Sequence, residues 1–151
     1  MQSMSLRLAV LAAAFLMALT TGPAWAAKKD DSFVEKKIVL QISDPNPFKQ
    51  TLVLNVANNL IKHYGPDQVA IEIVAFGPGL RLLYADNVNK GRIASLASNG
   101  VRFSACSNTM HKMTKLRDGV PPELDSHAVK VSAGVVRIID LVDQGYYLIK
   151  P

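Results

Sequence analysis

The chain of 151 residues holds one cysteine, Cys106, and one tryptophan. A single cysteine excludes an intramolecular disulfide. The three histidines (His63, His111 and His127) show no metal-ligand spacing, and without a second thiol a zinc site is not expected. No G-x-G-x-x-G follows a candidate strand and no G-x-x-x-x-G-K-[ST] occurs, so the nucleotide signatures are absent and no cofactor is expected. The G-x-S-x-G elbow of hydrolases is missing as well. Paired carboxylates for acid–base work are not evident. Asp44 is a lone loop candidate, and its other identity is a turn-forming Asx residue. Basic residues outnumber acidic ones, 17 to 12, yet they are interspersed, as in "KKDD" and "HKMTKLRD". No basic stripe interleaved with aromatics appears, which argues against a nucleic-acid partner. The mild positive charge suits solubility or attraction of small anions.

Long hydrophobic runs are confined to the N-terminus. Arg7 precedes an apolar run, Leu8 to Leu19, and "GPAWA" follows with Ala24 and Ala26 in the small-x-small positions. This pattern predicts a secretory signal peptide over 1–26, cleaved after Ala26, and a periplasmic protein. The run is shorter than the ~20 residues needed to span a bilayer, and Gly22-Pro23 breaks it. No stable membrane insertion is expected after cleavage. No cysteine lies near the cleavage point to carry a lipid. Residues 27–36 read as a linker and 37–151 as a single domain.

Within that domain, apolar periodicity alternates between two kinds. "KIVLQIS" (Lys37 to Ser43) reads as a strand running into the loop "DPNP". "FKQTLVLNVANNLIKHYG" has apolar residues at helical spacing and Gly65 to stop it. "QVAIEIVAFG" (Gln68 to Gly77) is a nearly continuous apolar run, which suits a strand covered on both faces. "GPG" then turns the chain. A helix is predicted from "LRLLYAD", and a second helical piece, "GRIASLASNG", ends at Asn99-Gly100. "VRFSAC" (Val101 to Cys106) is the third strand, and "SNTMHKMTKL" is a short helix capped by Ser107 or Asn108. "RDGVPPELDS" is a loop, "HAVKV" a fourth strand, Ser132 to Asp143 a capped helix, and "YYLIK" a fifth strand. Strands alternating with helices predict an α/β fold of three layers, α/β/α, around a five-stranded, mainly parallel sheet.

In such a sheet the strand C-termini share one edge, where ligand sites form. "SDPNP", "GPG" and "CSNT" gather there. An odd cysteine in an exported protein means intermolecular pairing, a free reactive thiol, or a buried and inert one. Cys106 ends its strand just before a helix, where unpaired amides and the helix dipole favour an anion, so its pKa is expected to fall. Strand parity puts Phe103 and Ala105 against one layer and Arg102, Ser104 and Cys106 against the other, and it suggests a wet rim for the thiol. The amides around Asn108 and Thr109 are the candidate anion donors. Gly77 and Gly79 form a candidate anion nest, with a plain turn as the other reading. Arg81 is a candidate to hold an anionic donor, and His111 to add positive potential. A surface arginine and a solvated surface histidine are the respective alternatives.

Four segments, "NVANNLIKHYG", "IEIVAFGPGLRLL", "GVRFSACSNTM" and "VSAGVVRIIDLVDQGYYLIKP", resemble the DsrE/DsrF-like family, in particular its small single-domain members. The resemblance runs from Lys37 to Pro151. It implies a flavodoxin-like domain and a homo-oligomer, a trimer or a hexamer. It further implies a sulfurtransferase-like persulfide carrier, in which Cys106 holds sulfane sulfur passed from a sulfur donor to an acceptor thiol protein. The export signal departs from the cytoplasmic relatives. A non-catalytic oligomeric module that binds a small anion or a partner at the same rim is the rival expectation. A flavin-binding electron carrier follows only from analogy of fold.

Overall fold

A computed structural model describes residues 34–151. The stretch expected to be a signal peptide, 1–26, and most of the expected linker, 27–36, lie outside the described residues. Five strands alternate with helices: β1 (Lys36–Ile42), α1 (Pro47–Tyr64), β2 (Val69–Ala75), a 3₁₀ helix (Gly77–Leu83), α2 (Lys90–Ser98), β3 (Arg102–Cys106), α3 (Ser107–Lys115), β4 (Ala128–Val131), α4 (Gly134–Asp143) and β5 (Tyr147–Ile149). The sheet has the order β4-β3-β2-β1-β5, and every pairing is parallel. The expected α/β fold with flavodoxin-like topology is therefore present, and the sheet is wholly rather than mainly parallel.

Local chemistry sets the element ends. The Asn46 side chain accepts the Phe48 amide and Pro47 opens α1, while Gly65, at φ 89°, closes it by donating to the Ile61 carbonyl. Asp44 accepts the Asn46 amide at 2.8 Å, which is the Asx-turn role. Three boundaries differ from expectation. The piece after β2 is a 3₁₀ helix that starts inside Gly77-Pro78-Gly79, because Pro78 presets a helical φ. The cap of α3 is Cys106 itself, one residue before Ser107, since β3 runs into the helix with no loop. The cap of α4 is Ala133, one residue after Ser132, and its side chain makes no capping bond.

The hand of the crossovers then distributes the layers. From β1 to β4 each strand lies beside the last in one direction, so right-handed connections put α1, α2 and α3 on one face. That face holds the larger core: Ile38, Leu40, Ile71, Ile73, Phe103 and Ala105 of the sheet meet Val53, Leu54, Ile93, Leu96 and Met110 of the helices. The step from β4 back to β5 runs the opposite way, so α4 lies on the other face. There Ile138 and Leu141 pack on Val39, Val74 and Tyr146. Among the described residues α4 is the only helix on that face.

Close packing joins the strand ends. A Cβ built on Gly79 would stand 2.6 Å from the Ile42 carbonyl oxygen and 2.7 Å from Ser43 Cα, backbone atoms at the end of β1 and the start of the loop after it. Gly79→Ala is therefore expected to lower stability by about 1–3 kcal/mol, read as a lower denaturation midpoint. An unchanged midpoint would show that the two loops can part without cost.

Candidate functional site

β3 and β4 are neighbours whose following helices leave to opposite faces, α3 to one and α4 to the other. Between such strands the chain cannot fill the space at the carboxyl edge, and that is where open parallel sheets form their crevices. Cys106 occupies this position. It pairs in register with Val131, the last residue of β4. The Asn108 amide of α3 donates to the Ser132 carbonyl of the β4–α4 connection at 3.3 Å, which ties the two departures together.

Parity along β3 is as expected. Phe103 and Ala105 belong to the larger core, while Ser104 and Cys106 face α4. The expectation of a wet rim needs correction. Cys106 keeps 5% of its surface exposed and Ser104 4%. The burial is shallow, for Ser107 is half-buried and Asn108 and Ser132 are exposed around it. α4 begins directly beside the thiol, and a Cβ on Gly134 would lie 2.9 Å from Phe76 Cβ. Only glycine lets the first turn of α4 come this close.

The sulfur makes no capping hydrogen bond of ordinary geometry with α3. Its surroundings bias it electrostatically instead. Burial pushes the Cys106 thiol up, but the Thr109 hydroxyl and the amides of Gly134, Thr109 and Asn108 outweigh burial and hold it below the ordinary value of 9.0. Two helix starts, from opposite faces of the sheet, thus direct donors at one atom. The Thr109 hydroxyl is itself oriented: its oxygen accepts the Gly77 amide at 2.9 Å.

The predicted residues are placed as follows. Thr109 and the Asn108 backbone lie at the thiol. Gly77 reaches it through Thr109, with φ at 53° to aim its amide. Gly79 is buried against the end of β1. Arg81 is exposed on the 3₁₀ helix, where its charge favours the ionised form of Tyr84, a phenol that burial pushes up overall. His111 is exposed on α3. Neither Arg81 nor His111 is among the largest influences on the sulfur. No cluster of His, Cys, Asp and Glu able to hold a metal occurs among the described residues. No helix among them is long and apolar enough to cross a membrane.

Sequence reasoning missed Gly134 and Ser132, and also a buried network of Glu72, Ser104 and Arg137. The signal for Glu72 was present. A glutamate inside "VAIEIVA", a strand covered on both faces, requires a buried partner.

Among solved structures that share this architecture is a protein of unknown function, MTH1491, from Methanobacterium thermoautotrophicum. It is 28% identical, superposes with a TM-score of 0.68, and covers 77% of this chain and 99% of its own. No family model matches the chain, and no curated protein matches it. The likeness gives a small α/β relative without a known activity.

Because the thiol is held below 9.0 in the folded state, the folded protein binds fewer protons than the unfolded chain between the two values. Its contribution to stability is full above 9.0 and is lost as pH falls through the folded value. Two outcomes follow. The stability advantage of the wild type over Cys106→Ser narrows as pH falls across that window. In Thr109→Val, which removes the hydroxyl donor and strands the Gly77 amide at a cost of about 1–3 kcal/mol, the midpoint of alkylation against pH rises. A variant midpoint equal to the wild type would remove Thr109 from the site.

Proposed function

We propose that the protein is a periplasmic persulfide carrier that works through Cys106. The observation that carries this reading is the place of Cys106 at the junction of β3 and α3, in register with the end of β4 and beside the start of α4, where the thiol is held below its ordinary value against the effect of burial. The resemblance of "GVRFSACSNTM" to the DsrE/DsrF-like family supports the same chemistry. The N-terminal pattern of Arg7, the Leu8–Leu19 run and Ala24-x-Ala26 supports export.

The chemistry balances without a redox cofactor. The Cys106 thiolate attacks the outer sulfur of a sulfane donor such as thiosulfate. A sulfur–sulfur bond forms on Cys106, the donor's own sulfur–sulfur bond breaks, and sulfite leaves with the electron pair. An acceptor thiolate then attacks the outer sulfur of the persulfide and Cys106 departs as thiolate, as in thiol–disulfide exchange. The amides of Asn108, Thr109 and Gly134 stabilise the anion at the beginning and end of this cycle. The exposed Arg81, His111 and Lys112 supply positive potential for an anionic donor approaching the rim.

A homo-oligomer belongs to this proposal. The outer side of α4 carries Val135, Val136, Ile139 and Val142 in the open, with Ile139 53% exposed, and Leu148 of β5 lies at the adjacent edge. A surface helix normally turns charge outward, so this apolar side suits burial against a second copy. The competing reading, a binding module with no covalent step, is favoured by the small exposure of Cys106.

Two measurements decide. Intact-mass spectrometry after incubation with thiosulfate or polysulfide is expected to show a gain of one or more sulfur atoms, reversed by a small thiol and missing in Cys106→Ala. No gain in the wild type refutes the carrier and leaves the module. Sedimentation equilibrium at micromolar concentration is expected to show an oligomer, with Ile139→Glu shifted to the monomer. A monomeric wild type refutes the assembly.

A further inference from the structure

Glu72 stands in the middle of β2 with none of its surface exposed. It is the one buried charged side chain among the described residues. Arg137 of α4 grips it with two parallel bonds, Nε to Oε1 and Nη2 to Oε2, each 2.7 Å. The Ser104 hydroxyl donates to Oε1 at 2.6 Å. Arg102 stands 3.7 Å from Oε2 on the solvent side. Burial pushes the carboxyl up, but the bonds from Arg137 and Ser104 and the charges of both arginines hold it below the ordinary glutamate value. The pair is ionised at neutral pH.

Stability does not explain such a pair. Exchanging a buried ion pair for well-packed apolar residues is often neutral or stabilising, because desolvation offsets the Coulomb attraction. What the pair does supply is register. A forked guanidinium–carboxylate contact fixes a plane and a distance, whereas aliphatic contacts tolerate sliding. Position gives this register a use. Arg137 lies three residues beyond Gly134, one turn along the same side of α4. Ser104 lies two residues before Cys106, on the same side of β3. The network therefore ties the first turn of α4 to the sheet right next to the thiol. α4 has no neighbouring helix on its face among the described residues, so its first turn is set by its contacts with the sheet, the close approach of Gly134 to Phe76 among them.

We infer that the Glu72–Arg137 pair is a positioning device for Cys106, holding the start of α4 so that the Gly134 amide faces the sulfur. The inference rests on the proposal that Cys106 acts as a thiolate, and it assigns control of that site to residues that do not touch the sulfur. Charged groups on the elements around the thiol are Glu72 of β2, Arg102 of β3, His111, Lys112 and Lys115 of α3, Lys130 of β4, and Arg137, Asp140 and Asp143 of α4. The strongest influences on the sulfur are burial and hydrogen-bond donors, not these charges.

Charge and position predict opposite signs, so variants separate them. The readouts are the pH dependence of alkylation by iodoacetamide and the denaturation midpoint, on the full folded chain. In Glu72→Leu/Arg137→Met the denaturation midpoint is expected to stay at or above the wild-type value, while the alkylation midpoint rises and the rate at neutral pH falls several-fold. Glu72→Gln removes a negative charge, so a direct charge effect would lower the alkylation midpoint; a positioning role raises it. Arg137→Lys keeps the charge but loses the fork, and a rise is expected there too. Should the double variant not fold, these two single variants decide. A wild-type alkylation profile in the double variant, or in both single variants, overturns the inference and leaves the Cys106 proposal standing. A wild-type protein that alkylates with the midpoint of free cysteine refutes the Cys106 proposal itself.

Discussion

The fixed hand of parallel crossovers governs this molecule. Three successive right-handed connections carry α1, α2 and α3 to one face of the sheet, and the return from β4 to β5 sends α4 to the other. The single change of direction falls between β3 and β4. At that point the two following helices diverge, and their unpaired amides are left facing a shared gap. Cys106 is the last residue of β3 and the cap of α3, so it sits in that gap without any loop to carry it there.

The same constraint makes the two faces unequal. Among the described residues one face has three helices and a large aliphatic core, and the other has a single helix over five strands. A single helix cannot be held laterally by neighbours. The buried Glu72–Arg137 contact adds a directional restraint where apolar packing would be permissive. The outer side of α4 remains apolar, which is the surface an assembly would cover. The thiol sits at the boundary of these features. Burial works against its ionisation, and donors delivered by both helix starts work for it, with the donors prevailing.

Much of the fold was legible before any coordinates. Gly65 marks the end of α1, and the apolar runs mark β1 as a strand and β2 as a strand covered on both faces, because local capping and periodicity are properties of short segments. The site was legible in part. Parity along "VRFSAC" correctly put Ser104 and Cys106 on one side. It could not tell how much of the thiol would be covered, since that depends on how closely α4 approaches. Gly79 looked like half of an anion nest, and the structure shows it in close contact with the end of β1. A glycine that gives room to a ligand and one that gives room to a neighbouring loop are the same letter. Glu72 could have been flagged as needing a partner, but its partner is 65 residues away on α4.

The sequence by itself determined the alternation of strands and helices, the ends of α1, and the place of the lone cysteine at a strand–helix junction. These follow from the preferences of each residue and its near neighbours. Only the tertiary structure decided that a second helix start meets that cysteine from the opposite face, that Thr109 is oriented by Gly77, and that Arg137 closes on Glu72. Those contacts join residues on different strands and helices, and they exist only once the order of the strands and the hand of their connections have been chosen.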